Sequence, residues 1–126
     1  MELELAEYAR MLDGNEKPED KTVAVHVNTL DNLLQQNGIN EVNWIKIDVE
    51  GAELEVLKGA HNTLSHSKDI SVLIEIHGIS HLYNPIMELL SSYNFKIEFE
   101  KTFEGYQRQN MRGAKNIMLR KSIYRQ

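Results

Sequence analysis

Acidic side chains interrupt an apolar stretch near the middle of this chain of 126 residues. Positions 45–50 read IKIDVE, so an extended strand would place Lys46, Asp48 and Glu50 together on one face. A carboxylate where such a strand ends can accept a proton from a substrate hydroxyl, or hold a divalent cation that acidifies the hydroxyl. We therefore predict that Asp48 and Glu50 are catalytic and that Lys46 contacts the substrate.

A second strand carries polar residues at its corresponding end. Positions 70–77 read ISVLIEIH, with isoleucine and valine on one face and Glu75 and His77 at the end of the other. Open α/β sheets bind their ligands at the carboxyl ends of the strands, and imidazole can act as a base near neutral pH. We predict that His77 is catalytic, that Glu75 contacts the substrate and that both lie beside Asp48.

The same charged residues also allow a purely structural interpretation. Asp48 could pair with Lys46, or it could cap the helix that follows. Glu50 could be a charge in the first turn of that helix, where it would favour the helix dipole. Glu75 could form a buried ion pair with Lys46 between neighbouring strands, with His77 bonded to a loop. The residues alone leave both interpretations open.

Other kinds of site find less support in the sequence. His77 and His81 have the spacing of metal ligands on one helix, but Gly78 disfavours a helix there, and we predict no metal site. The chain has no cysteine, which excludes thiolate chemistry and disulfides and fits a cytoplasmic location. A net charge of -5 argues against nucleic-acid binding. No apolar run approaches the roughly 18 residues that span a membrane.

Strands and helices are predicted to alternate along most of the chain. The alternating valines of positions 22–28 predict a half-buried strand. The last two predicted strands have no helix between them, so one of these two should run antiparallel to the rest of the sheet. A long polar connection is expected over 105–113. We predict an α/β three-layer sandwich whose sheet is mostly parallel, with one antiparallel strand near the C-terminus. The strands are expected over 22–28, 44–49, 70–76, 95–101 and 116–120, and the helices over 2–12, 30–37, 52–66 and from Asn84 onward.

Three segments carry a resemblance to a known family. The run Ile45–Ala60, IKIDVEGAELEVLKGA, resembles the signature of the FkbM-type methyltransferases, which use S-adenosylmethionine. The elements Thr29–Leu34 and Leu73–His77 resemble the segments that flank this signature in the family. The resemblance covers roughly 22–121 and implies a Rossmann-like methyltransferase fold over a single domain, 1–126. The implied reaction is methyl transfer from S-adenosylmethionine to the hydroxyl of a sugar or another small molecule.

One part of the family pattern is missing. Family members begin with a strand and a glycine-rich turn that approaches the cofactor, whereas the seven glycines of this chain include no G-x-G cluster. The chain therefore resembles the C-terminal half of such an enzyme, with most of the cofactor cradle outside it. The strand at Trp44–Val49 should then have an uncovered edge. The strand over 22–28, the N-terminal helix, a second copy of the chain or a separate chain carrying the N-terminal half could cover this edge, and we expect a homo-oligomer or a complementing N-terminal half. The alternative is a non-catalytic remnant or assembly domain that dimerises through the edge.

Overall fold

The computed structural model describes residues 17–19, 21–108 and 111–122, without side chains for 103–108 and 111–113. The predicted helix over 2–12 lies outside these residues. No helix in the described part of the chain is long and apolar enough to cross a membrane. The described elements are, in chain order, α1 (Leu30–Gln36), β1 (Trp44–Ile47), α2 (Glu53–Lys58), α3 (His61–His66), β2 (Asp69–His77), α4 (Ile79–Ser92), β3 (Lys96–Arg108) and β4 (Met111–Ser122).

The four described strands form one mixed sheet in the order β1-β2-β4-β3. β1 runs parallel to β2, with Trp44 aligned to Ser71 and Ile47 to Ile74. β4 runs antiparallel to both of its neighbours, β2 and β3. Three strands therefore point the same way and one opposes them, as predicted for an α/β sheet with one antiparallel strand near the C-terminus. Within the described residues, β1 is an edge strand.

The helices and the sheet bury a core between them. Alternate residues of β2 point toward the helices, as the period of two along a strand requires. α3 contacts α1 and α2, and α2 contacts α4, so the described helices form one connected layer against the sheet. The second helical layer of the predicted three-layer sandwich has no counterpart among them. The fully buried members of the core include Ile70, Val72, Ile74 and Ile76 of β2, Leu57 and Leu64 of α2 and α3, Ile86 and Leu90 of α4, and Ile117 and Leu119 of β4.

The prediction of a strand over 22–28 is wrong. The structure assigns no strand to this segment, and Val23, Val25 and Val27 are 83%, 73% and 84% exposed. Alternation of valines shows that one face of an extended segment is apolar. A strand also needs a neighbour for its backbone N–H and C=O groups, and no described strand pairs with these residues.

The helix predicted over 52–66 is broken at Gly59, and Asp31 explains the break. In a continuous helix the N–H groups of Asn62 and Thr63 would donate to carbonyls four residues earlier. Instead they donate to the Asp31 carboxylate at 2.8 and 2.9 Å, and the Thr63 hydroxyl donates to it at 2.7 Å. The Asp31 N–H donates in turn to the Gly59 carbonyl at 3.1 Å. Asp31 thus caps α3 and ties it to α1.

The start of α4 also differs from the prediction. α4 begins at Ile79, directly after Gly78 at φ 68°, and Pro85 lies inside the helix instead of in its first turn. Glycine adopts this left-handed conformation without steric cost, so the helix can start at that point. His77 therefore ends β2 while His81 belongs to α4, and the two histidines do not share a helix.

The predicted polar connection over 105–113 is largely strand. β3 and β4 form a long hairpin in which Gln107 aligns with Arg112 and Arg108 with Met111. Ladder pairing satisfies the backbone whatever the polarity of the side chains, so polar composition did not reveal it. A register shift between Ile97 and Phe99 also breaks the predicted alternation of β3.

Candidate functional site

The site lies where β1 and β2 end side by side. β1 ends at Ile47 and is followed by Asp48 and Glu50, while His77 is the last residue of β2. The His77 Nε2 atom lies 3.9 Å from Asp48 Oδ1 and 3.6 Å from Glu50 Oε2. The parallel pairing of two short strands thus brings together the three residues that the sequence predicts to be catalytic.

The turn after β1 has an unusual backbone. Glu50 has φ 51° and Gly51 has φ 102°, so two successive residues are left-handed. This conformation is uncommon for a residue with a side chain and costs about 1–3 kcal/mol where it is imposed. α2 starts only at Glu53, so Glu50 is not a first-turn helix charge. The turn directs Glu50 toward His77 at the expense of backbone strain.

Glu53 is the residue that sequence reasoning missed. Its side chain is 0% exposed, and its Oε1 atom lies 2.6 Å from His77 Nδ1. The same oxygen accepts the Gly51 N–H at 3.1 Å, which fixes the strained turn. The available signal was its position four residues before Leu57, on the apolar face of α2. A carboxylate on the buried face of a helix requires a partner, and here the partner is His77.

These contacts define the protonation of the imidazole. A carboxylate only accepts hydrogen bonds, so His77 Nδ1 carries the proton toward Glu53 and Nε2 faces Asp48 and Glu50. Burial alone lowers the pKa of His77, but the hydrogen bond to Glu53 and the charges of Glu50, Glu53 and Glu75 outweigh it and raise the pKa. The second oxygen of Glu53, Oε2, is buried without a hydrogen-bond partner.

Glu75 joins the same group from β2. Burial raises the pKa of Glu75, and the charge of Asp48, a hydrogen bond to Asp48 and the charge of Glu50 raise it further. Two carboxylates can share a hydrogen bond only if one of them holds a proton. The raised pKa favours the protonated form of Glu75 in the folded protein.

The structural alternatives for these residues are not formed. Lys46 is exposed, and within the described part of the chain no ion pair joins it to Asp48 or Glu75. Its aligned neighbour on β2 is Leu73. The residue that precedes α2 is Ala52, with no side-chain cap, so Asp48 does not cap the helix. The structure thus assembles Asp48, Glu50, Glu75 and His77, adds Glu53, and leaves Lys46 outside.

Comparison with known proteins identifies the family. The family model described as the methyltransferase FkbM domain matches residues 6–97, which is most of the chain and includes the whole carboxylate–histidine cluster. The chain belongs to the FkbM methyltransferase family. This confirms the resemblance found in the sequence and supports a methyltransferase. Neither a curated protein nor a solved structure matches the chain.

Proposed function

We propose that this chain provides the acceptor-activating part of an S-adenosylmethionine-dependent O-methyltransferase site. The observation that carries the proposal is the convergence of Asp48, Glu50 and His77 at the carboxyl ends of β1 and β2. This is the position at which open α/β sheets bind ligands. The acceptor would be a hydroxyl of a sugar or another small molecule, because a hydroxyl must lose its proton to accept a methyl group.

Each residue of the cluster would have its own role in the reaction. The Asp48 side chain is 40% exposed, so it can reach an acceptor and orient or deprotonate its hydroxyl. Glu75, hydrogen-bonded to Asp48, would keep that carboxylate in place. His77 is held by buried Glu53 and would fix the position of the acceptor together with Glu50. Lys46 has no part in this arrangement.

The residues present fit one end of the cofactor. S-adenosylmethionine supplies an electrophilic methyl group on a positively charged sulfur when it is bound. The carboxylates suit a neighbouring positive charge, and a Cβ placed on Gly51 would meet no atom within 4 Å, so the turn is open. The sequence has no glycine-rich turn for the rest of the cofactor. We therefore assign the acceptor side of the reaction to this chain.

Substitution of Asp48 tests the proposal. Methyl transfer from labelled S-adenosylmethionine to a panel of sugars and small hydroxyl compounds is compared between the wild type and Asp48→Asn. We expect transfer to fall by about 10²–10⁴-fold, the usual contribution of a positioned general base. Glu55→Gln is the matched control, because Glu55 is an exposed carboxylate of α2 whose ion-pair partner within the described residues is Lys58. Because the sequence has no glycine-rich turn for the cofactor, binding of the same acceptors to the wild type and to Asp48→Asn is measured as well. Equal methyl-transfer rates for the two proteins, or no binding of any acceptor by the wild type, would contradict the proposal.

The unpaired edge of β1 supports a second proposal, that two copies of the chain associate. Within the described residues β1 pairs on one side only, and its Trp44 is 58% exposed. Unpaired strand edges and exposed aromatic rings favour contact with another strand. We propose that a second copy of the chain covers this edge, and we expect a dimer by light scattering at about 10 µM, where standard interfaces commonly persist. A monomer at that concentration would contradict it.

A further inference from the structure

The cluster contains a donor set with the geometry of a cation site. His77 Nε2, Asp48 Oδ1 and Glu50 Oε2 all lie within 4.8 Å of one another. The nitrogen lies 3.9 and 3.6 Å from the two oxygens. Atoms that share one divalent cation at about 2.0–2.3 Å lie roughly 3–3.5 Å apart. A small adjustment of two side chains would therefore bring all three atoms to bonding distance.

Within the described residues, the imidazole nitrogen that faces this group has no hydrogen-bond partner. The His77 side chain is only 10% exposed, and its hydrogen bond uses Nδ1, toward Glu53. A charge-assisted N–H···O bond from Nε2 would measure about 2.7–2.9 Å. The observed separations of 3.9 and 3.6 Å are much longer, so Nε2 is bonded to neither carboxylate. A cation held between these three atoms would bond to all of them.

Glu53 is a second buried group that supports a cation site. Histidines that ligate metals usually donate their other ring N–H to a carboxylate, which fixes the tautomer and the orientation of the ring. Glu53 makes this contact with His77, and its side chain is fully buried. One of its oxygens has no hydrogen-bond partner. An anion withdrawn from water needs compensating positive charge nearby, which a cation on His77 would supply.

We propose that Asp48, Glu50 and His77 bind one divalent first-row transition metal, with Glu53 as the carboxylate that orients the histidine. Imidazole together with two carboxylates suits Mn²⁺ or Zn²⁺ better than Mg²⁺ or Ca²⁺, which prefer oxygen alone. Three protein ligands leave a position open for the acceptor hydroxyl, and the metal lowers the pKa of that hydroxyl. The inference rests on the proposed function for its role, but the binding itself does not depend on it.

A metal titration of the full chain, without cofactor or acceptor, tests the site. Mn²⁺ is added to the wild type, free Mn²⁺ is followed by electron paramagnetic resonance, and Zn²⁺ is titrated in parallel by calorimetry. We expect one equivalent to bind. Affinity should fall at least tenfold in Asp48→Asn and in Glu50→Gln, and by about 10–100-fold in Glu53→Gln, the usual effect of an outer carboxylate. Glu55→Gln should bind as the wild type does.

Circular dichroism identifies any variant that fails to fold. Asp48→Asn and Glu50→Gln test the site independently, so either one suffices if the other does not fold. Failure of the wild type to bind Mn²⁺ or Zn²⁺ stoichiometrically would overturn the inference, as would binding that both ligand variants retain. Metal binding by a wild type that binds no acceptor would leave the inference standing and refute the proposed function. Acceptor binding by a wild type that binds neither Mn²⁺ nor Zn²⁺ would do the reverse.

Discussion

Asp31 and Asp48 occupy opposite electrostatic environments in one small fold. Asp31 accepts three hydrogen bonds, two from N–H groups and one from a hydroxyl, all supplied by Asn62 and Thr63. Asp48 lies instead among other titratable side chains, namely Glu50, Glu75 and His77, and two of these three are carboxylates. A carboxylate surrounded by donors stabilises the fold, whereas carboxylates gathered against each other cost stability and require another explanation.

The pKa directions express the same contrast. Burial alone would raise the pKa of Asp31, but the hydrogen bonds from Thr63 and Asn62 reverse this and lower it. Burial raises the pKa of Glu75, and the neighbouring Asp48 and Glu50 charges raise it further. Folding therefore favours the charged form of Asp31 and disfavours the charged form of Glu75. Sites that sacrifice stability in this way are commonly functional.

The largest effect on stability should come from Asp31→Asn. The amide presents an N–H₂ group to a position where only acceptors fit, so the cap of α3 and its tie to α1 are weakened. We expect the free energy of unfolding to fall by about 1–2 kcal/mol, as for loss of other helix caps. Urea unfolding followed by circular dichroism measures it, with Glu55→Gln as the surface control.

The pH dependence of the difference in unfolding free energy tests whether the charge of Asp31 is responsible. Because the folded-state pKa of Asp31 is below its unfolded value, the stabilisation is complete above the unfolded pKa and disappears as the pH falls through the folded one. The difference between wild type and Asp31→Asn should therefore vanish in strong acid. A difference that is unchanged at low pH would show that the carboxylate charge is not what holds α3.

Local features of the fold were predictable from sequence. Thr29 caps α1 through its side chain, which accepts the Asn32 N–H at 3.1 Å, and Gly38 ends the helix region at φ 64°. The apolar alternation of 45–49 and 70–76 located β1 and β2 to within two residues. These signals are local because caps, turns and strand periods each depend on a few consecutive residues.

The features that were missed depend on contacts between distant segments. Asp31 breaks the predicted helix over 52–66 from 31 residues away, which no local propensity reveals. Glu53 was missed as a site residue because its partner, His77, lies 24 residues further along the chain. The valines over 22–28 are the opposite case. Their alternation is typical of a strand, but no described strand lies beside them to pair with.

For the candidate site, the sequence supplied the residue types and the shared sheet edge but not their relationship. Asp48, Glu50, Glu75 and His77 were each identified from their position at a strand end. Whether they pair with Lys46 or face one another depends on the register of β1 against β2, where Lys46 aligns with Leu73. That register is a tertiary property, so the sequence left both outcomes open.

The most direct test of the contrast between the two carboxylate environments is the unfolding free energy of Glu75→Gln at neutral pH. Glutamine keeps the shape of Glu75 and removes the charge that folding disfavours. Because the folded-state pKa of Glu75 is raised, its destabilising effect is complete above that pKa and is relieved as the pH falls from the folded pKa through the lower, unfolded one. We predict that Glu75→Gln is more stable than the wild type by about 0.5–1 kcal/mol, of the order of one salt-screened charge contact. A variant less stable than the wild type, as expected for Asp31→Asn, would mean that these carboxylates hold the fold together and would contradict the account.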